Sequence, residues 1–474
     1  MIQYMNYAKS ILWYDLETFG LNPRVDRIAQ AALIRTDLQL NIIEEPVLLY
    51  CRLTDDYLPN PESCIVTGLT PQEVNEKGIR EYDFIKKIND MFLVPGTVAA
   101  GFNNVNFDDE CIRSTLYRNL FDPFEREYKE GRSRWDIMNL VRATKDLRPD
   151  GIDFSAVNPD TGFTSFKLTD ITRVNHIEQE GAHDALVDVR ATIDVARLIR
   201  DKQPKLFNYA FSHRFKNEVW AVLDPIRHQT VLHTSAAYVS ERGNTHPVLP
   251  LMANKERGNE IYCFDLTFPI PETLEGIEDL REAGIIRIMA NKCPFVAPMS
   301  VMNESCEKRL GFTRSEVEEK AEKIRRSHRY LFDLREALNV KKDYEAESDA
   351  DYTIYDRFMS EADKAKLKEI SRLQPQDKLK AGEYNFEDEK YHKLLWRMVA
   401  RNWPESMSGK EKVQWRNFCA SRLINPPSKY ARPLELYLRE CREHMDSIET
   451  AAKDKLIYKA LYDYGIDLEK RILA

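Results

Sequence analysis

The chain reads as an α/β domain, then a β-rich domain, then an all-helical C-terminal domain, and three observations carry that reading. Over residues 1–200, apolar or half-buried runs alternate with helical patterns. From about 205 to 310, short β-like runs are separated by turn formers. Beyond 351 the apolar positions recur at helical spacing. At 474 residues the chain also exceeds what one hydrophobic core usually holds, so two or three domains are expected.

In the first part, Ser10–Tyr14, Ile28–Arg35 and Val98–Phe102 are expected strands, and Asp136–Lys145 and His183–Leu198 expected helices. Asp201-Lys202-Gln203-Pro204 is the first linker candidate, which sets domain one at 1–203. Within 204–351, Val219–Leu223, Val231–Tyr238, Ile261–Phe264 and Ile285–Met289 read as strands. Arg242-Gly243-Asn244 and Lys292-Cys293-Pro294 are turn formers, and Ser315–Leu338 is one charged helix. The acidic, apolar-poor stretch Lys341–Asp351 is the second boundary. In 352–474, Tyr391, Leu394, Leu395, Met398 and Val399 fall at i, i+3, i+4, i+7 and i+8, one face of a helix that Pro404 helps to end. Further helices are expected over Pro433–Met445 and Asp446–Tyr464.

Composition narrows the class without naming a function. With 43% hydrophobic and 31% charged residues, the chain resembles an ordinary globular protein. No run approaches the roughly 18 apolar residues of a membrane span. The segment MIQYMNYAKSILWYD lacks a basic region followed by an apolar stretch and a small-residue cleavage site, so secretion is not expected. The eight cysteines, at 51, 64, 111, 263, 293, 306, 419 and 441, form no CxxC pair and read as reduced thiols of a cytoplasmic protein. The net charge of −8 argues mildly against a nucleic-acid partner. It does not exclude one, because phosphate responds to the local field of a groove.

The informative residues are acids. In Tyr14-Asp15-Leu16-Glu17, strand alternation sends Asp15 and Glu17 to the same face. Two adjacent carboxylates repel unless a cation lies between them, and hard divalent ions favour oxygen ligands. Taken alone, the pair also fits a solvated strand edge. A second segment, Asn103-Asn104-Val105-Asn106-Phe107-Asp108-Asp109-Glu110, follows an apolar run and equally fits a helix cap. In the third, His183-Asp184-Ala185-Leu186-Val187-Asp188, the two aspartates share a helical face behind a histidine, which again fits a capped helix start.

In order and approximate separation, Asp15 and Glu17, then Asp108, then His183 and Asp188 resemble the DEDDh exonuclease signature. The resemblance extends further, to the bacterial exonuclease I family. It is carried by Tyr14-Asp15-Leu16-Glu17-Thr18-Phe19-Gly20, Thr67-Gly68-Leu69-Thr70-Pro71-Gln72, Ser133-Arg134-Trp135-Asp136 and Ala182-His183-Asp184-Ala185. Outside the first domain it is carried by His213-Arg214, Arg242-Gly243-Asn244-Thr245, Asn291-Lys292-Cys293-Pro294 and Ala400-Arg401-Asn402-Trp403-Pro404.

That resemblance implies a ribonuclease-H-like exonuclease domain, an SH3-like domain and a C-terminal helical domain that together enclose single-stranded DNA. It implies 3′→5′ hydrolysis to 5′-mononucleotides, in DNA repair and recombination. Two Mg²⁺ ions would serve, with Mn²⁺ able to substitute, held by Asp15, Glu17, Asp108 and Asp188, with His183 as general base. Glu17, Arg113, Phe124, Tyr128, Arg142, Lys167 and Lys216 are the expected strand contacts. A monomer is expected. The partner implied is the C-terminal tail of single-stranded DNA-binding protein, at Arg148, Tyr209 and Arg325.

Overall fold

The apolar run Ile11-Leu12-Trp13-Tyr14 forms the centre of β1 (Ser10–Thr18), and both faces of this strand are buried. Ile11 and Trp13 enter one hydrophobic core, while Leu12, Tyr14 and Leu16 enter another on the opposite face. A strand covered on both sides reads as continuous apolar sequence, which is why no alternation shows until the acids begin. The structure is a computed structural model. It describes residues 7–178, 184–238, 243–254, 257–274, 279–338, 347, 349–379, 384–424, 426 and 432–473.

β1 pairs antiparallel with β2 (Ile28–Thr36), which pairs antiparallel with β3 (Val47–Tyr50). On its other side β1 runs parallel to β4 (Thr97–Gly101), and β4 parallel to β5 (Ser133–Asp136). The sheet order is β3-β2-β1-β4-β5. The helix Ala185–Lys202 lays Ala185, Val189, Ile193 and Ala196 on the Trp13 face. On the Tyr14 face lie Phe84, Ile85 and Ile88 of the helix Glu81–Phe92, with Cys111, Ile112 and Leu116 of the helix Asp108–Arg118. This is the expected α/β sheet, with each predicted strand one to four residues longer or shifted by one.

A second, antiparallel sheet has the order β10-β6-β7-β8-β9, from β6 (Val231–Thr234), β7 (Thr245–Ala253), β8 (Glu260–Asp265), β9 (Ile285–Met289) and β10 (Phe295–Pro298). Three local expectations are corrected here. Val219–Leu223 is not a strand but lies largely in the helix Lys216–Val222, because Val219 and Leu223 recur at helical spacing and both are fully buried. The long charged helix is two helices, Arg314–Arg325 and His328–Leu338, broken where the Ser327 hydroxyl accepts from the Tyr330 amide and starts the second. Asp201–Pro204 is not an extended linker: Pro204 opens the helix Pro204–Ser212, whose Phe207 and Phe211 pack edge-on against Trp135. Lys341–Asp351 lies mostly outside the described residues.

The remainder is helical. Lys390–Asn402 stops before Pro404 as expected, and Gly409–Ile424, Leu434–Asp446 and Ala452–Leu473 follow. These helices share cores with the first sheet's loops: Phe19, Tyr57 and Val74 pack with Trp415, Tyr437 and Leu461. All eight cysteines are buried free thiols. Among the described residues, no helix is long and apolar enough to cross a membrane.

A buried charge cluster welds the helical part to the sheet domain. Asp56 meets Arg401 at 2.8 Å, Arg422 at 3.0 Å and Arg27 at 3.5 Å. Asp351 binds Arg401, and also Arg422 at 2.7 Å, while Asp349 takes Arg397 at 2.5 Å and Arg422 at 2.9 Å. Burial alone would raise these carboxyl pKa values, but the guanidinium groups of Arg401 and Arg422 hold Asp56 and Asp351 well below the ordinary value of 3.8. Arg401→Ala leaves two buried acids short of a partner, and is expected to lower the urea midpoint by a loss of about 3–5 kcal/mol. Because both carboxyl pKa values are depressed, the contribution is present above pH 3.8 and lost as pH falls, so the variant's deficit shrinks in acid. A deficit independent of pH would refute this account.

Candidate active site

Pairing between β1 and β4 ends at Trp13 and Ala100, and β4 itself stops at Gly101. Beyond that point the exposed edge of β1 would carry an unsatisfied amide. The chain turns through 102–107 and returns as the helix Asp108–Arg118, where Asp108 Oδ1 accepts the Leu16 amide at 3.1 Å. Asp108 is thereby fixed beside the strand that carries Asp15 and Glu17. Gly101 is needed at this turn: a Cβ there would meet Asn104 Cβ and the Tyr14 carbonyl oxygen, each at 2.9 Å.

Opposite, the helix Ala185–Lys202 begins with Asp184, whose carboxylate accepts the Leu186 amide at 2.9 Å. One turn later Asp188 comes over the strand end. Asp15, Glu17 and Asp188 each offer a carboxylate oxygen, all within 4.8 Å of one another. Burial, then the charges of Asp108 and Asp188, push the Asp15 pKa well above its ordinary value. Burial, then Asp15, Asp188 and Asp184, push Glu17 up to about 8. Asp108 is likewise raised, chiefly by burial, against the amides that stabilise its charged form. Asp15 and Glu17 make no ion pair among the described residues, so no side chain there neutralises them. An all-oxygen donor set of this kind fits a hard divalent cation.

The neighbouring acid does a different job. Asp109 accepts from Tyr14 at 2.5 Å, Arg126 at 2.6 Å and Arg134 at 2.9 Å, and burial notwithstanding, the two arginines hold its pKa far below the carboxylate range. This knot fixes the helix start and leaves Asp108 beside the other acids. Sequence reasoning missed the role of Asp136. Its carboxylate accepts the amides of Asn103 at 2.9 Å, Val105 at 3.4 Å and Met138 at 2.9 Å, holding the loop that delivers Asp108. An acid ending a strand just before a helix was the available signal.

His183 lies outside the described residues, directly before Asp184. The expected strand contacts are dispersed. Lys167 and Lys216 are exposed at helix starts, and Arg142 is buried with its guanidinium 5.4 Å from the Phe166 ring centroid. Arg113 is not an open cation: it is buried, bidentate to Glu127 at 2.7 Å and bonded to Glu110 at 2.7 Å. Phe124 and Tyr128 line a cavity with Tyr117, Arg357 and Phe358. Arg148, Tyr209 and Arg325 reach one edge of the second sheet. Arg148 donates to the Val301 carbonyl at 2.7 Å, Tyr209 to that of Val296 at 3.0 Å, and Arg325 to Thr230 at 3.2 Å.

Acids gathered from three segments at the end of a central strand, on this sheet order, are the arrangement that a metal-dependent nuclease requires. Family models agree: the exonuclease model matches residues 12–196, the exonuclease I SH3-like domain 214–339 and the exonuclease I C-terminal domain 348–468. The exodeoxyribonuclease I of Haemophilus influenzae is 37% identical over 480 residues, covering 97% of this chain and 98% of its own. Exonuclease I from Methylocaldum szegediense superposes with a TM-score of 0.88 at 38% identity, covering 97% of this chain and 100% of the other. Escherichia coli exonuclease I in complex with a dA16 oligonucleotide gives 0.91 at 33% identity, with the same coverage. The chain belongs to the bacterial exonuclease I family and is an enzyme, a nuclease, with a divalent metal implied at its carboxylates.

The raised Glu17 pKa gives metal binding a pH signature. A carboxyl raised from 4.5 to about 8 stabilises the metal-free fold below 4.5 and progressively loses that contribution as pH rises through 8. Metal requires the deprotonated form, so its stabilisation grows over the same window. The rise in melting temperature on adding Mg²⁺ is expected to be larger at pH 8.5 than at pH 6, and Glu17→Gln to flatten that trend. A metal effect equal at both pH values would overturn it.

Proposed function

We propose that the protein removes 5′-mononucleotides one at a time from the 3′ end of single-stranded DNA, in DNA repair and recombination. The observation that carries the chemistry is the convergence of Asp15, Glu17 and Asp188 within 4.8 Å at the end of β1, with Asp108 alongside. The substrate rests on whole-length similarity to exonuclease I, one member of which is described with a bound oligonucleotide.

A pair of divalent ions, Mg²⁺ with Mn²⁺ able to substitute, supplies a reactive water and a counter-charge for the leaving oxygen when bound. Asp15, Glu17 and Asp188 would hold one ion, and Asp15 with Asp108 the other. His183 is the general base: an imidazole ring nitrogen, with an ordinary pKa of about 6.5, takes the proton from the attacking water. Attack at phosphorus breaks the bond to the 3′-oxygen of the penultimate nucleotide, which leaves the terminal residue with its 5′-phosphate. Lys167 and Lys216, exposed beside the sheet and at the second unit, supply countercharge to the strand. The C-terminal tail of single-stranded DNA-binding protein is the partner proposed for the edge bearing Arg148, Tyr209 and Arg325. The protein acts as a cytoplasmic monomer.

Digestion of single strands labelled at either end, with and without Mg²⁺, tests this reading. Wild type is expected to lose the 3′ label rapidly and only with metal, while Asp15→Ala binds but does not cut. Preferential trimming of RNA, or an equally active Asp15→Ala, would refute it. His183→Ala is expected to lower kcat by roughly 10²–10⁴-fold. A kcat within twofold of wild type would remove His183 from the mechanism.

A further inference from the structure

The segment Asn291-Lys292-Cys293-Pro294 joins β9 and β10, the two edge strands of the second sheet, and its first three residues all reach the first domain. The Asn291 carbonyl accepts from Arg134 at 2.6 Å, and the same guanidinium holds Asp109 at 2.9 Å. Lys292 Nζ donates to Asn106 Oδ1 at 3.3 Å and lies 4.0 Å from Glu110. The Cys293 thiol is within donating distance of two carbonyls, Arg134 at 3.3 Å and Arg214 at 3.6 Å. Cys293 also takes a φ of 49°, a region that residues other than glycine seldom adopt, so this turn is held in shape by what it touches.

The two groups that Lys292 meets flank Asp108: Asn106 stands two residues before it and Glu110 two residues after. From within the first domain, the turn carrying Asp108 is tied by Asp136, which accepts the Asn103 and Val105 amides. The Asp109 amide adds a bond to the Asn104 carbonyl at 2.9 Å. Glu110 itself takes Arg113 at 2.7 Å and the Tyr355 hydroxyl. Lys292 brings a further tie, from the second domain, to both sides of the acid at once. The charges of Asp108 and Asp188 both oppose ionisation of Asp15, so repulsion acts to push Asp108 away before any cation binds. A turn that yields spends part of its time with the acid withdrawn, and apparent affinity for an ion falls in proportion to the competent fraction.

We propose that Lys292 is a positioning residue for the metal site, holding Asn106 and Glu110 so that Asp108 stays within reach of the ion it shares with Asp15. The inference rests on the two-ion reading of the carboxylates and adds a residue of the second domain to it. Lys292 acts through the turn and not on the substrate. It makes metal affinity depend on docking of the second sheet, although every carboxylate comes from the first domain. The guanidinium of Arg134 works in the same direction, since it clasps Asp109 with one nitrogen and the Asn291 carbonyl with another.

The test uses the full-length protein with Mn²⁺ as the probe, titrated by calorimetry without DNA. Lys292→Met is expected to bind Mn²⁺ about tenfold more weakly than wild type at one of two sites, and Lys292→Arg to restore the affinity. In digestion of single strands, the Mg²⁺ concentration that gives half of kcat is expected to rise about tenfold in Lys292→Met, with KM for the strand unchanged. Asn106→Ala is expected to weaken the same site. The double variant should be no weaker than the poorer single one, because the two side chains form one tie. The Lys292 side chain is 36% exposed, so the unfolding midpoint of metal-free Lys292→Met should match wild type. Wild-type Mn²⁺ affinity in Lys292→Met, or losses that simply add in the double variant, would overturn the assignment while the nuclease reading stands. A raised KM with weakened salt dependence and unaltered metal affinity would overturn it too, and would make Lys292 a contact to strand phosphate. A wild-type protein that bound no Mn²⁺ would remove the metal-site reading and the role of Lys292 with it.

Discussion

The structure depends on keeping the carboxylates of Asp15, Glu17, Asp108 and Asp188 close together at the end of β1, where burial and mutual repulsion oppose the ionisation of the first three. Water would disperse such a group, and a flexible loop would let it relax apart. The four acids are instead held by three rigid features. Asp15 and Glu17 are fixed by a strand buried on both faces, and Asp188 by a helix packed on that sheet. Asp108 is held by its bond to the Leu16 amide and by the Asp109 knot behind it. The contrast between Asp108 and Asp109 is instructive. Adjacent in sequence, they have pKa values driven in opposite directions, one by burial among acids and the other by two arginines.

A site under such repulsion needs a frame that does not yield, and much of that frame lies outside the first sheet. The Asp56, Asp349 and Asp351 cluster with Arg27, Arg397, Arg401 and Arg422 is buried and strongly paired. Buried pairs are weak evidence of net stability, because desolvation opposes the attraction. Their effect here is orientational: bidentate guanidinium contacts admit few alternative dockings. The segment 349–352 is thereby held against both the sheet domain and the helical part.

Much of this was legible in the sequence, for definite reasons. β1 announced itself because a doubly buried strand must be apolar until it delivers its acids. The helix ending before Pro404 followed from periodicity and a missing donor. The carboxylates were legible as ordered motifs, although their convergence was not, since nothing local says that Asp188 returns to within 4.8 Å of Asp15. Where sequence misled, tertiary packing had overridden local character. Val219–Leu223 is rich in strand-forming residues, yet its buried positions sit at helical spacing. The pairing of Arg113 with Glu127, fourteen residues away, was not visible either, because no local pattern links the two. The buried arginine cluster was hidden for the same reason: Asp56 and Arg401 are separated by most of the chain.

The helix Asp108–Arg118 links these levels. Its first residue lies beside the carboxylate site, and Tyr117, nine residues on, lines a cavity against the helical part, a span of about 14 Å at 1.5 Å per residue. An α-helix packed along its length is close to incompressible on that scale, so it fixes Asp108 relative to the surface that meets the helical part. At its N-terminus the helix is tied by the Asp109 knot. Near its C-terminus, Arg118 and Asn119 bond to Glu81 at 2.8 and 2.9 Å, and Asn402 of the helical part bonds to Asn119 at 3.2 Å. Docking of the C-terminal part therefore bears on the same helix that carries Asp108. A carboxylate site formed within the first 200 residues is thus braced by contacts from a chain more than twice that length.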